Sequence, residues 1–274
     1  TKFLIVNGDD FGLSSSVNNG IVNSHKNGLL TSTTILAGGE AFDEAVELAG
    51  QNPSLAVGLH LALTETRPVA PPGTVKTLLD DNGLMPSRYP KIIKGIVSGA
   101  LDIAEVKFEW EAQILKFLNA GFSPTHIDSH QHIHLYPSLF NIFIELADNY
   151  SFKYARIPLQ KNQFPVLSAM AAFKAITLTS LSLLERKKLS STNLKSADHF
   201  IGLLNSGRQT ERALKNRIKL LSPGVTELMV HPGLLDEPDT GYLRKQEMDA
   251  LTSTAVRGSL DEHKITLTTF REQQ

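Results

Sequence analysis

The chain has 274 residues, 41% of them hydrophobic, which is enough to bury one large core and fits a single domain over residues 1–274. Its formal net charge is -1 with no long basic run, so the counterion release that drives nucleic-acid binding has little to act on, and a small neutral or polar substrate is expected. Cysteine is absent, which excludes disulfide frameworks, thiol nucleophiles and cysteine–zinc sites and leaves His and Asp to ligate any metal.

The apolar run Phe3-Leu4-Ile5-Val6 predicts a buried strand over residues 3–7 that delivers the paired carboxylates of Asn7-Gly8-Asp9-Asp10-Phe11-Gly12. No charged-then-apolar pattern precedes it, which makes the cytoplasm the expected compartment. A helix over 17–27 is closed by Gly28, a strand follows over 31–37, and a helix over 41–51 stops before Pro53. The next strand, 55–63, carries His60. Residues 67–90 are rich in Pro and Gly and read as a long loop able to wall a cleft. An amphipathic helix over 102–120 places Ile103, Val106, Trp110, Ile114, Phe117 and Leu118 at three- and four-residue steps.

Farther on, the strand 125–129 runs into His130, His132 and His134, and Pro137 opens the following helix. A strand over 154–157 precedes the most apolar stretch, 164–184, which Lys174 interrupts, so that it falls short of a membrane span. A buried helix or a dimer face is the plainer reading of that stretch, and a surface receiving the lipid part of a substrate is the other. Helices over 208–221 and 243–256 flank a strand at 226–230, and a strand at 265–270 closes the series. Strands alternating with helices at this length predict an α/β fold, a (β/α) barrel with seven or an irregular eight strands rather than an open doubly wound sheet.

Chemistry concentrates where these strands run out. One His on an apolar strand is usually a core residue, and an Asp-Asp pair after a strand is often a turn. Here Asp10, His60 and His130 arrive from three strand ends, a carboxylate and two imidazoles able to close around one divalent metal while leaving positions for water and substrate. His126 and Asp128 alternate with His130 and read as hydrogen-bond partners behind the ligands; His132 and His134, past the strand end, read as loop or substrate contacts. His231, in Val230-His231-Pro232-Gly233, reaches another strand end and suits a general acid. Arg156 is placed to hold a carboxylate such as Asp9 ionised and oriented.

The motifs Leu4-Ile5-Val6-Asn7-Gly8-Asp9-Asp10-Phe11-Gly12-Leu13-Ser14, Thr31-Ser32-Thr33-Thr34, Val57-Gly58-Leu59-His60, Thr125-His126-Ile127-Asp128-Ser129-His130 and His231-Pro232-Gly233 resemble, in this order, those of the YdjC-like carbohydrate deacetylases. The resemblance spans nearly the whole chain. It implies a distorted (β/α) barrel related to polysaccharide deacetylases, often dimeric, that removes acetyl from N-acetylated sugars with a divalent metal. It makes Asp10, His60 and His130 the metal ligands, Asp9 the base and His231 the acid. In the wider polysaccharide deacetylase group both metal histidines fall in one His-x-x-x-His motif, whereas the resemblance takes His60 and His130 from separate segments of this chain. The segment Asp198-His199-Phe200-Ile201-Gly202 through Arg208 looks loosely like the hopanoid-associated branch, which adds His199 as a candidate substrate contact and a glycolipid as a candidate substrate.

Amide hydrolysis needs a nucleophile, oxyanion stabilisation and a proton for the leaving amine. A His-His-Asp metal site supplies the first two. Asp9 would accept the water proton and a protonated His231 would donate, so the two are expected in opposite protonation states near neutral pH. Two imidazoles favour Zn2+ or another transition ion, whereas a weak site that keeps several waters suits Mg2+. Two rival readings use the same residues: a non-haem-iron-type oxygenase, which would leave Asp9 and His231 without a role, and a non-catalytic sugar- or metal-binding protein, for which loss of one of these groups is expected and none is lost.

Overall fold

The computed structural model describes residues 1–159, 169–204, 206–237 and 240–273, with the side chains of 169–175 outside that description. Its centre is an eight-stranded parallel sheet in the order β5-β4-β3-β2-β1-β7-β6, with β8 also paired to β1. The strands are β1 (Lys2–Phe11), β2 (Ser32–Ile35), β3 (Ala56–Leu61), β4 (His126–Ser129), β5 (Tyr154–Ala155), β6 (His199–Ile201), β7 (Gly224–Val230) and β8 (Ile265–Leu267). The helices are α1 (Ser15–Asn27), α2 (Phe42–Gly50), α3 (Tyr89–Ser98), α4 (Ile103–Asn119), α5 (Pro137–Asn149), α6 (Ala169–Leu189), α7 (Glu211–Lys219), α8 (Arg244–Leu251) and α9 (Thr254–Glu262). A parallel bridge between Tyr154 and Lys195 links β5 to the run leading into β6, so the sheet curls back on itself as a distorted (β/α) barrel.

Parallel strands covered on both faces must be apolar throughout, and Leu4, Ile5, Val6, Leu59 and Ile127 are fully buried. Ser14 caps α1 by accepting from the Val17 amide, and Asp102 caps α4 by accepting from Ala104. The apolar stripe of α4 packs as expected: Val106, Trp110, Ile114 and Phe117 are inaccessible, and the Trp110 indole meets Phe143 of α5 edge-on.

Three expectations are corrected. β6 was not expected as a strand, because three residues give too short an apolar run to register as periodicity. Residues 67–90 are not wholly loop, since Pro90 lies in the first turn of α3, where a missing N–H costs nothing. The helix expected over 243–256 is two helices: α8 ends at Leu251, and Ser253 caps α9 by accepting from Ala255. Of the apolar stretch 164–184, residues 164–168 lie outside the described ones, while α6 exposes Ile176, Leu183 and Leu184. Among the described residues no helix is long and apolar enough to cross a membrane.

Candidate active site

Adjacent residues of a regular strand point to opposite faces, so Asp9 and Asp10 should not meet at one centre. They do because β1 breaks register between Gly8 and Phe11 and Asp10 adopts the left-handed region at φ 71°. Such a backbone is uncommon outside Gly and Asn/Asp, and its cost is offset only where surroundings fix it. The two carboxylates then enter the same buried cluster from neighbouring positions.

His60 comes from β3 and His130 from the turn just past β4. His130 Nδ1 lies 3.0 Å from Asp10 Oδ1, and His60 Nε2 lies 3.6 Å from the same oxygen. Atoms ligating one ion at about 2.1 Å sit roughly 3.0–3.4 Å apart at octahedral or tetrahedral angles, which these spacings approach. Asp10 Oδ1 is buried and accepts no well-directed hydrogen bond, an arrangement that suits a cation better than a donor. Among the described residues these three form one of two groups close enough to hold a metal ion; the other is Asp9, His60 and Asp128.

Partners fix the far sides of the rings. His60 Nδ1 donates to Asp128 Oδ1 at 2.5 Å, and His130 Nε2 donates to Glu65 Oε2 at 2.7 Å. Arg156 grips Asp9 with both terminal nitrogens at 2.6 and 2.7 Å, reaches Asp128 at 2.6 Å, and gives its Nε to Glu227 at 2.7 Å. Arg244, at the start of α8, donates to Asp10 Oδ2 at 2.8 Å and to Glu237 at 2.7 Å. Asp9, Asp10, Asp128 and Glu227 are thus buried against Arg156 and Arg244, an imbalance that a divalent cation would offset.

Burial favours the neutral form of Asp9, but the Arg156 guanidinium outweighs it and holds the carboxyl well below the usual range. Asp10 is likewise held low by Arg244 and His130 against its burial. Burial opposes charge on His130 too, yet the Asp10 and Glu65 carboxylates raise it to about 10, so in the metal-free chain a proton supplies part of the missing positive charge. Glu227 is pushed up to about 7 by burial, against the pull of Arg156.

His231 follows β7, and its ring Nε2 is 4.0 Å from Asp9 Oδ2. The turn that carries it is seated against α1, because a side chain at Gly20 would collide with the backbone of Gly233. Its backbone amide donates to Glu247 Oε2 at 2.5 Å, while Glu247 Oε1 accepts from the Gln209 amide at 2.8 Å. Burial pushes His231 down to about 4 despite the nearby Asp10 and Asp9. That direction favours the neutral ring in the metal-free chain.

The remaining candidates divide. His126 is buried below the cluster, bonded to Asn7 Oδ1 at 3.1 Å and stacked on Phe270, and is held neutral with a pKa near 3 by burial. Both ring nitrogens of His134 are used by protein, Nδ1 with Ser129 Oγ and Nε2 with the Arg156 carbonyl at 3.0 Å, so it supports Arg156 and is not placed as a substrate contact. His132 is buried, its ring edge-on to Phe200. His199 is bonded to the carbonyl of Pro223, just ahead of β7 and at the opposite end of the strands from the cluster, so the structure separates it from the site. Glu65, Glu227, Arg244 and Glu247 were not singled out from the sequence. Only Glu65, five residues past His60, had a local signal.

The fold and this cluster define an α/β-barrel enzyme whose polar centre lies at the carboxyl ends of its strands. The chain belongs to the YdjC-like protein family, which matches residues 3–262. It is 32% identical to a carbohydrate deacetylase of Clostridium beijerinckii over 98% of this chain and 99% of that one. It is also 33% identical to a carbohydrate deacetylase of Brevibacillus brevis, over 98% of each. The crystal structure of an Enterococcus faecalis V583 protein, described as a candidate cellobiose-phosphate cleavage protein, is similar at a TM-score of 0.79 and 29% identity, covering 100% of this chain and 99% of that one.

Proposed function

We propose that this chain is a metal-dependent hydrolase that removes acetyl from an N-acetylated sugar. The observation that carries the reading is the meeting of Asp10, His60 and His130 within one buried cluster that also holds the Asp9–Arg156 pair and His231. Relatives named carbohydrate deacetylases over nearly the full length support the substrate class.

Asp10, His60 and His130 would hold the ion, which when bound acidifies a water and polarises the acetyl carbonyl. Asp9 accepts the proton of the attacking water, and Arg156 fixes the carboxylate that receives it. His231 starts neutral, so the proton delivered to the leaving nitrogen is the one Asp9 takes from water, relayed to His231 Nε2 through a bridging water because the 4.0 Å between the two groups exceeds hydrogen-bond reach. One water is consumed, and the amine and acetic acid leave with all protons accounted for.

Two imidazole nitrogens favour Zn2+, while the open positions also suit Mg2+. The exposed Ile176, Leu183 and Leu184 of α6 support a homodimer contact there, or a surface for the lipid part of a glycolipid. The deciding experiment is mass spectrometry for loss of acetyl from soluble chitooligosaccharides and from lipid-linked N-acetylglucosamine, with and without added metal. Loss of acetyl only in the metal-loaded samples is expected. Intact substrates throughout the panel would remove the reading.

A further inference from the structure

The two candidate imidazole ligands are held from behind by different kinds of carboxylate. Asp128, behind His60, has its charge shared with Arg156 at 2.6 Å. Glu65, behind His130, makes no ion pair with Lys or Arg among the described residues and is partly open to solvent. A neutral imidazole that donates Nε2–H to a carboxylate keeps its Nδ1 lone pair for a metal on the other side, and His130 Nδ1 lies 3.0 Å from Asp10 Oδ1.

The chain invests in placing this glutamate. Glu65 sits at φ 61°, in the left-handed region that non-glycine residues seldom occupy, and its amide donates to the Pro86 carbonyl at 3.1 Å. The turn carrying His130 is tied to the same excursion a second time, since Gln131 Oε1 accepts from the Tyr89 amide at 3.0 Å. Behind it, the buried Glu109 of α4 accepts from the amides of Val69 and Ala70, and Gln113 bonds both the amide and the carbonyl of Ala62. The segment from Ala62 to Tyr89 is therefore anchored on α4 at one side and on the His130 turn at the other.

Resting on the metal reading above, we propose that Glu65 is a positioning residue for the metal. It fixes His130 in the tautomer that ligates through Nδ1, raises the basicity of that nitrogen, and couples metal occupancy to the order of residues 62–89.

The test is a Zn2+ titration of the metal-free chain against a chromophoric chelator, for wild type, Glu65→Gln, Glu65→Ala, His60→Ala and His130→Ala, with metal-free melting temperatures alongside. Loss of a carboxylate behind a ligating histidine weakens metal binding by about 10–100-fold, and both Glu65 variants should do so while still melting cooperatively without metal. Glu65→Gln keeps a hydrogen-bond acceptor and removes only the charge, so it remains informative where the alanine variant folds poorly. Hydrogen exchange should show residues 62–89 protected on adding Zn2+ in wild type and not in Glu65→Ala. Wild-type affinity in both Glu65 variants, with binding lost in His130→Ala, overturns the role of Glu65 and leaves the metal site standing. Wild-type affinity in His60→Ala and His130→Ala overturns the metal site itself.

Discussion

Arg156 donates to both carboxylate oxygens of Asp9, at 2.6 and 2.7 Å, with both side chains buried. A bidentate pair of this kind fixes the rotamer of the acid as well as its charge, which is what a proton acceptor at a defined position needs. Arg156 is itself held from outside by Asp128, Glu227 and, through its backbone carbonyl, His134.

Asp9→Asn keeps the shape of the side chain and removes the proton acceptor. Turnover should fall by about two to four orders of magnitude, the range for loss of a general base, while metal content stays at the wild-type level. Acetyl-release kinetics and elemental analysis on the same preparation check both halves. Near-normal turnover would exclude Asp9 as the base.

A second set of variants separates ligands from their neighbours. Asp10→Ala, His60→Ala and His130→Ala each leave a two-point site and should lose bound metal after gel filtration, whereas His132→Ala should retain it. Retention in His130→Ala together with loss in His132→Ala would reassign the centre.

The residues of the site were legible where chemistry follows a strand end: Asp9, Asp10, His60, His130, His231 and Arg156 all follow or finish buried apolar runs, and the barrel brings them together. The partners were not legible for a physical reason. Glu227 lies 71 residues from Arg156, and Arg244 lies 234 from Asp10, so no local pattern joins them. Periodicity served the long helix α4 well, but β6 has only three residues, and the break between α8 and α9 turns on one capping serine. His199 was drawn in by a motif, and its actual bond to Pro223 is a tertiary contact that no motif encodes.

Stability should depend on pH through Glu247, which burial raises from an ordinary 4.5 to about 7. Between those values the folded chain keeps a proton that the unfolded chain has lost. This contribution therefore falls as pH rises from about 4.5 to about 7 and is flat outside that window. At about 1.4 kcal/mol per pKa unit the loss is at most about 3.5 kcal/mol. His126, His134 and His231, which burial lowers to about 3, 3 and 4, act with the opposite sign, losing stability as pH falls below their ordinary 6.5. Both chains share those histidines, so comparing wild type with Glu247→Gln isolates the carboxyl. Urea unfolding of the metal-free proteins at pH 5 and 7.5 should show the variant losing less stability across the interval; parallel losses would show that Glu247 ionises normally in the folded chain.

Arg244 sets the strength of the metal site by the same electrostatics. Its guanidinium lies 2.8 Å from Asp10 Oδ2, the oxygen that does not face the histidines, so it draws charge from the ligand and sits within a few ångströms of any bound ion. A unit charge about 6 Å from a divalent ion, at an effective dielectric near 20, opposes binding by several kcal/mol before relaxation and screening reduce the effect. Arg244→Met keeps much of the stem beside Gly233 and removes the charged group that lies over the Tyr242 ring. Metal should then bind at least about tenfold more tightly. The metal-free variant should melt earlier, because Asp10 and Glu237 lose their shared cation, and the gap between metal-free and metal-loaded melting temperatures should widen. Calorimetric titration with Zn2+ and paired melting curves measure both effects. Weaker binding in the variant would mean that Arg244 matters chiefly by holding Asp10 in place, and that its charge does not limit the site.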